Sequence, residues 1–115
     1  MPRWFGAPVM VLETVGRKSG KPRATPILYL RDGDRLVVQP ANAGSDAVPA
    51  WWLNLRHAGE GVAVIAGERQ RVRPRLATAE EHESLWPVYL KMYPAADEYL
   101  GFTERELPLI VLEPA

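Results

Sequence analysis

Apolar residues recur along this chain with two rhythms. Residues 9–15 form a β-rich apolar run, and residues 24–31 alternate, placing Ile27 and Tyr29 on one face and Leu28 and Leu30 on the other. Asp32-Gly33 is a hairpin signal, and residues 35–39 return from it. Residues 62–65 and 69–76 read as two further strands around a turn at Gly67-Glu68, and residues 107–113 as the last. Between them the rhythm changes. Val48, Trp51, Trp52 and Leu55 recur at helical spacing, with Ser45 or Asp46 as cap, Pro49 in the first turn and Gly59 or Gly61 as stop. Thr78 and Glu81 form a capping box before the stripe Leu85, Trp86, Tyr89, Leu90 and Tyr93. Pro87 falls inside that stripe and predicts a kink or interruption. A short helix is expected over 95–100, after Pro94.

Five or six sequential antiparallel strands with two inserted helices predict a mainly β (α+β) fold, a small antiparallel barrel with helical decorations. Residues 1–115 are expected to be one domain, with residues 1–8 as an N-terminal arm. No apolar run approaches the ~20 residues that span a bilayer, and no secretory signal is apparent. The absence of cysteine removes disulfides and thiolate chemistry and points weakly to a cytoplasmic home.

The charge is balanced overall but not along the chain: residues 1–75 hold 12 Lys/Arg against 6 Asp/Glu, and residues 76–115 hold 2 against 8. A balanced total argues against general nucleic-acid affinity. The basic half is densest at 16–26, where Arg17, Lys18, Lys21 and Arg23 fall within seven positions. Gly16 and Gly20 let that loop curl and turn backbone N–H groups inward, and Ser19 adds a hydroxyl. Such a loop suits a phosphate or carboxylate. It is not a nucleotide-hydrolase P-loop, because three residues separate the glycines and Pro22 follows Lys21. The plain alternative is a solvated basic hairpin. Arg69, Arg71, Arg73 and Arg75 share one strand face, read as the solvated face of an edge strand or as an extension of the anion site. His57 and His82 offer no metal-ligand spacing, so no metal is expected. Ser19, Ser45 and Ser84 sit in no nucleophile elbow, and Glu80, Glu81 and Glu83 read as a solvated helix start. What is left is an anion loop with aromatic residues, which suits a flat phosphorylated ligand.

In this order, several strings resemble the deazaflavin (coenzyme F420)-dependent nitroreductase and quinone reductase family. They are the apolar strand into Gly16-Arg17-Lys18-Ser19-Gly20, then Lys21-Pro22-Arg23, Thr25-Pro26 and Tyr29-Leu30-Arg31-Asp32-Gly33. Pro49, Trp51, Leu53-Asn54-Leu55, Met92-Tyr93-Pro94 and the Leu107-Pro108 to Glu113-Pro114 end follow. The resemblance runs from about Pro8 to the C-terminus. It implies a split β-barrel oxidoreductase that passes hydride from reduced coenzyme F420 to a quinone-like or other flat acceptor. Arg17, Lys18, Ser19 and Arg23 would take the phosphodiester and glutamate tail. Ala24, Thr25 and Pro26 would border the ring system, Gln39, Pro40, Ala41 and Asn42 would offer it backbone groups, and Ala50, Trp51, Trp52, Leu53 and Asn54 would cover it. Tyr93 and Tyr99 match family tyrosines and would be the catalytic proton donors. Ala96 stands where a third, substrate-contacting tyrosine sits, which implies quinone rather than nitroimidazole reduction. The family often has an amphipathic helix ahead of the first strand. This sequence starts too close to that strand to include it, so membrane-surface contact is expected only through such a helix. The protein is expected as a monomer or homodimer. Rival readings are an FMN- or haem-binding split-barrel protein and a non-catalytic carrier of a flat or lipid-like ligand.

Overall fold

The computed structural model describes residues 3–4, 7–41, 47–99 and 107–115. Among them are eight strands and three helices: β1 (Arg3–Trp4), β2 (Ala7–Val15), β3 (Pro22–Leu28), β4 (Leu30–Asp32), β5 (Arg35–Val38), α1 (Ala50–Ala58), β6 (Gly61–Ile65), β7 (Glu68–Leu76), α2 (Ala79–Met92), α3 (Ala95–Tyr99) and β8 (Ile110–Pro114). Every pairing is antiparallel. The hydrogen-bonded path runs β2-β6-β7-β8-β5-β4, with β3 on the other side of β2 and β1 folded onto its start. Only Tyr29 separates β3 from β4. One bent run therefore pairs with β2 at one end and β5 at the other, and the path returns on itself. This is the split barrel.

The sequence rhythms translate into two cores. Met10, Leu12, Ile27, Leu36, Val38, Ala63, Val72, Ile110 and Leu112 face inward, and α1 adds Trp52 and Leu55 to them. On the outer side, Val37 and Leu109 are covered by Leu85, Tyr89 and Tyr93 of the α2 region and Ala96 of α3. Alternation along the strands sends neighbouring residues to different layers, as with Leu36 and Val37. Among the described residues no helix is long and apolar enough to cross a membrane.

Several expectations are corrected. The second strand begins at Pro22 rather than 24; β3 pairs only with β2, so its proline nitrogens interrupt no second ladder. The last strand begins at Ile110, because Pro108 cannot donate to a ladder. The β6–β7 turn is Ala66-Gly67, both at positive φ, and Glu68 already belongs to β7. Pro49 is the N-cap of α1 rather than a first-turn residue, and it makes no side-chain cap bond. The proposed caps Ser45 and Asp46 lie outside the described residues, as does residue 100 of the short helix.

Two corrections concern prolines and charge. Helix α2 runs unbroken through Pro87. Pro87 and Glu83, whose carbonyl loses its bond, are both exposed, so water satisfies what the ring removes. Strand β7 is not an edge, since it lies between β6 and β8. Arg71 O accepts from Ala115 N at 2.9 Å, so the arginines turn their backbone polar groups toward β8 and Pro74 turns its nitrogen toward the β6 side. That ladder has already ended at Val72. The arginine stripe is ion-paired on the outer face: Arg69 to Glu13 at 2.6 Å, Arg71 to Glu60 at 2.8 Å and Arg75 to Glu113 at 2.7 Å.

Glu81 is not the solvated helix-start acid that was expected. The capping box forms, with Glu81 N donating to Thr78 Oγ1 at 3.1 Å and Thr78 N to Glu81 Oε1 at 2.9 Å. The same carboxylate accepts from Arg75 at 2.6 and 2.8 Å and from Arg35 at 2.8 Å, with 19% of its side chain exposed. The Arg75 hydrogen bonds, then the Thr78 N–H, hold its carboxyl well below the usual carboxylate range. A depressed folded pKa contributes stability above the unfolded value of 4.5 and loses it as pH falls toward the folded one. Glu81→Gln keeps the box but not the charge. It lowers the thermal midpoint at pH 7, and the gap to the natural protein closes between about pH 5 and pH 2. A gap independent of pH would assign the effect to packing instead.

Candidate functional site

The basic loop joins β2 to β3, and short-range chemistry shapes it. Gly16 N donates to Lys21 O and Gly20 N to Gly16 O, both at 2.8 Å, while Lys21 N donates to Ser19 Oγ at 3.2 Å. Gly20 sits at φ 71°. A Cβ on Gly16 would lie 2.7 Å from Ser19 Oγ, so a larger residue there would push that hydroxyl away from Lys21 N. The N–H groups of Gly16, Arg17, Gly20 and Lys21 are thus all taken up within the protein. Those four are not available to the expected inward-pointing nest, which leaves the side chains as the loop's main groups for an anion.

The loop is tied to α1 from the far side of the barrel mouth. Buried Asn54 accepts at Oδ1 from Arg17 N at 3.1 Å and from Arg17 Nη1 at 2.8 Å. This fixes the loop against the helix and aims Arg17 along it. Asn54→Ala removes a charge-assisted bond and costs about 1–2 kcal/mol after discounting for the exposure of Arg17. Urea unfolding measures that loss, and amide exchange should speed up at residues 17–20. Unchanged exchange there would mean that the loop holds itself.

Between loop and helix lies a cavity of about 280 Å³. Gly16, Arg17, Lys18, Ser19, Arg23 and Thr25 line it from the hairpin, and Ala50, Trp51 and Asn54 from α1. Among the described residues three cations and no acid line it, and Trp51, half-buried, presents a flat wall. One anionic group attached to one flat group fits this cradle.

Of the residues singled out from the sequence, the cradle brings together Arg17, Lys18, Ser19, Arg23, Thr25, Ala50, Trp51 and Asn54. It does not include the others. Ala24 and Pro26 are exposed neighbours on β3, and Leu53 is half-buried on another face of α1. Trp52 is 7% exposed and belongs to the inner core. Gln39 is buried and its Nε2 donates to Leu107 O at 3.3 Å, a link between the end of β5 and the approach to β8. Ala41 N donates to Gln39 O at 2.9 Å in a tight turn, so that N–H is not on offer to a ring. Pro40 lines a different cavity, and Asn42 lies outside the described residues. Tyr93 is 5% exposed within the outer core beside Ala96, which is fully buried. Tyr99 ends α3, and its side chain lies outside the described residues. Arg69–Arg75 do not extend the cradle.

Comparison with known proteins places the chain in a family. Residues 2–114 match the family described as F420H(2)-dependent quinone reductase. A relative from Mycobacterium tuberculosis that carries the same quinone reductase name is 34% identical over 107 residues, 93% of this chain and 90% of its own. A solved structure described as an F420-H2 dependent reductase (FDR-A) has a TM-score of 0.81 at 23% identity, covering 98% of this chain and 100% of its own. Another, described as a domain-swapped dimer, has a TM-score of 0.82 at 24% identity, over 92% of this chain and 80% of its own. These two structures establish the likeness of fold, and the family match establishes descent. The chain belongs to the F420H(2)-dependent quinone reductase family.

Proposed function

We propose that the cradle is where this chain holds coenzyme F420, with Arg17, Lys18, Ser19 and Arg23 against its phosphodiester and glutamate tail and Thr25, Ala50 and Trp51 against its ring system. Family membership makes the chain an oxidoreductase dependent on that coenzyme, with a quinone-type acceptor, and decides against the FMN, haem and carrier readings. The observation that carries the placement is the cavity lined by three cations, two hydroxyls and one flat aromatic wall, with no acid among the described residues. A neutral or cationic ligand would gain nothing from it, and a phosphodiester joined to a flat ring fits both halves.

When bound, the reduced coenzyme supplies the hydride, and the protein's part is position and electrostatics. Arg17 is held by Asn54 before any ligand arrives, so part of the ordering cost is met by the fold. Lys18 and Arg23 are exposed, on long side chains that can reach the tail. Trp51 offers a stacking face, and the Trp51–Trp52 contact, edge-on at 6.4 Å and 63°, braces it from behind. Ala24, Pro26 and Leu53 frame the cradle without lining it. A proton for the acceptor oxygen is the remaining need. The ring of Tyr93 is shut in the outer core, so the proposed tyrosine donor is Tyr99.

Titration of the folded protein with reduced coenzyme F420, oxidised coenzyme F420 and FMN, followed by tryptophan fluorescence, tests the placement. Saturable quenching by the deazaflavin, weak or absent with FMN and lost in Trp51→Phe, is expected. Quenching that survives in Trp51→Phe would move the ring elsewhere.

A further inference from the structure

On the other side of α1 is a second cavity, larger than the cradle at about 480 Å³. Successive residues of a helix point about 100° apart, and here that angle divides two sites. Trp51 lines the cradle and Trp52 lines the second cavity. Among the described residues the two cavities share no lining residue.

Its chemistry differs from that of the cradle. Trp52, largely buried in the core, contributes the small part of its ring left open, and Pro40, Val48, Pro74 and Leu76 supply most of the apolar surface. Val48 is 37% and Leu76 59% exposed, which puts two of the few large solvent-facing apolar side chains at this one opening. Among the described residues two cations line the cavity and no acid does. Arg75 is committed to Glu81 and Glu113. Arg56 has no ion-pair partner among the described residues, and its guanidinium lies 5.5 Å from the centre of the Trp52 ring. A cation on an aromatic face, apolar walls and no competing acid select a ligand with a flat apolar body and one negative charge.

We propose that this cavity is a binding site for an aryl anion, such as an aromatic carboxylate or sulfonate, separate from the coenzyme cradle. The body of the ligand lies along Val48 and Leu76, and its charge pairs with Arg56, which Trp52 supports from the core. Hydride transfer needs reacting atoms about 3–3.5 Å apart. With α1 between the two cavities, a ligand here is an additional ligand and not the acceptor.

The test uses 8-anilinonaphthalene-1-sulfonate, a fluorescent aryl sulfonate, with the whole folded protein. Saturable fluorescence enhancement is expected, with an affinity reduced about tenfold or more by Arg56→Gln and by Leu76→Glu, whose charge repels the probe. The affinity is unchanged by Lys18→Ala with Arg23→Ala and by saturating coenzyme F420. N-Phenyl-1-naphthylamine, the same body without the sulfonate, binds less tightly and does not respond to Arg56→Gln. Both substituted side chains are exposed, and circular dichroism confirms that each variant is folded; Leu76→Ser replaces Leu76→Glu if it is not. An affinity indifferent to Arg56→Gln and to the Leu76 variant, displacement by coenzyme F420, or no saturable enhancement would overturn the proposal.

Discussion

Replacing Lys18 and Arg23 together by alanine weakens coenzyme F420 binding by about 2–4 kcal/mol, roughly thirty- to seven-hundredfold in dissociation constant. Each contributes a charge-assisted contact worth about 1.5–3 kcal/mol before the discount for exposure. Both line the cradle, and neither has an ion-pair partner among the described residues. The substitution therefore breaks no ion pair among the described residues, and the thermal midpoint stays close to where it was. Rising salt should narrow the gap between variant and natural protein, since the lost term is electrostatic. An affinity left intact would return the loop to the plain reading of a solvated basic hairpin.

Leu12→Ala destabilises the protein by about 2–5 kcal/mol, the usual cost of a cavity in a packed core. Leu12 is fully buried on β2, which pairs with β3 through Thr25 and with β6 through Ala63. It shares the inner core with Trp52 and Leu55 of α1. The space there is already full: a Cβ on neighbouring Gly61 would come within 2.8 Å of Leu55 Cδ1 and 3.8 Å of Leu12 Cδ1. Little collapse into the vacancy is possible, so the cost lies toward the upper end of the range. Because α1 rests on this core and carries Trp51 and Asn54, coenzyme affinity falls as well. Urea unfolding reads the stability change as a shift in midpoint at constant slope. A loss below about 1 kcal/mol would mean that the interior is loosely filled.

The two variants divide the site between its parts. On the proposed placement, Lys18 and Arg23 act on the ligand through charge and leave the scaffold alone. Leu12 acts on the scaffold and reaches the ligand only by way of α1. Asn54 lies between them, one amide that joins a loop and a helix 37 positions apart.

Features set by neighbouring residues were legible in the sequence. The hairpin after Arg31 forms, though with Gly33-Asp34 rather than Asp32-Gly33 as its turn, and the Thr78–Glu81 capping box, the left-handed Gly59 stop and the alternation of Ile27 to Leu30 appear as read. Each depends on backbone preference or side-chain reach over a few positions. The basic loop was legible for the same reason, since its cations and glycines are consecutive. Its hydrogen bonding was not, because glycines permit a nest without requiring one, and Asn54 and Ser19 claimed the N–H groups first.

Tertiary structure decided what depends on distant partners. Strand β7 looked like an edge because its arginines alternate, but the acids that neutralise them lie on β2, on β8 and in the turn before β6. Glu81 looked solvated because Arg35, 46 positions away, and Arg75 are brought to it only by the closed barrel. Trp51 and Trp52 were indistinguishable as neighbours on one helix until the core claimed Trp52. Composition and local pattern determine which segments become strands, turns and helices. Which faces meet, and therefore which charges and rings share a site, is settled by packing between segments whose separation along the chain carries no local signal.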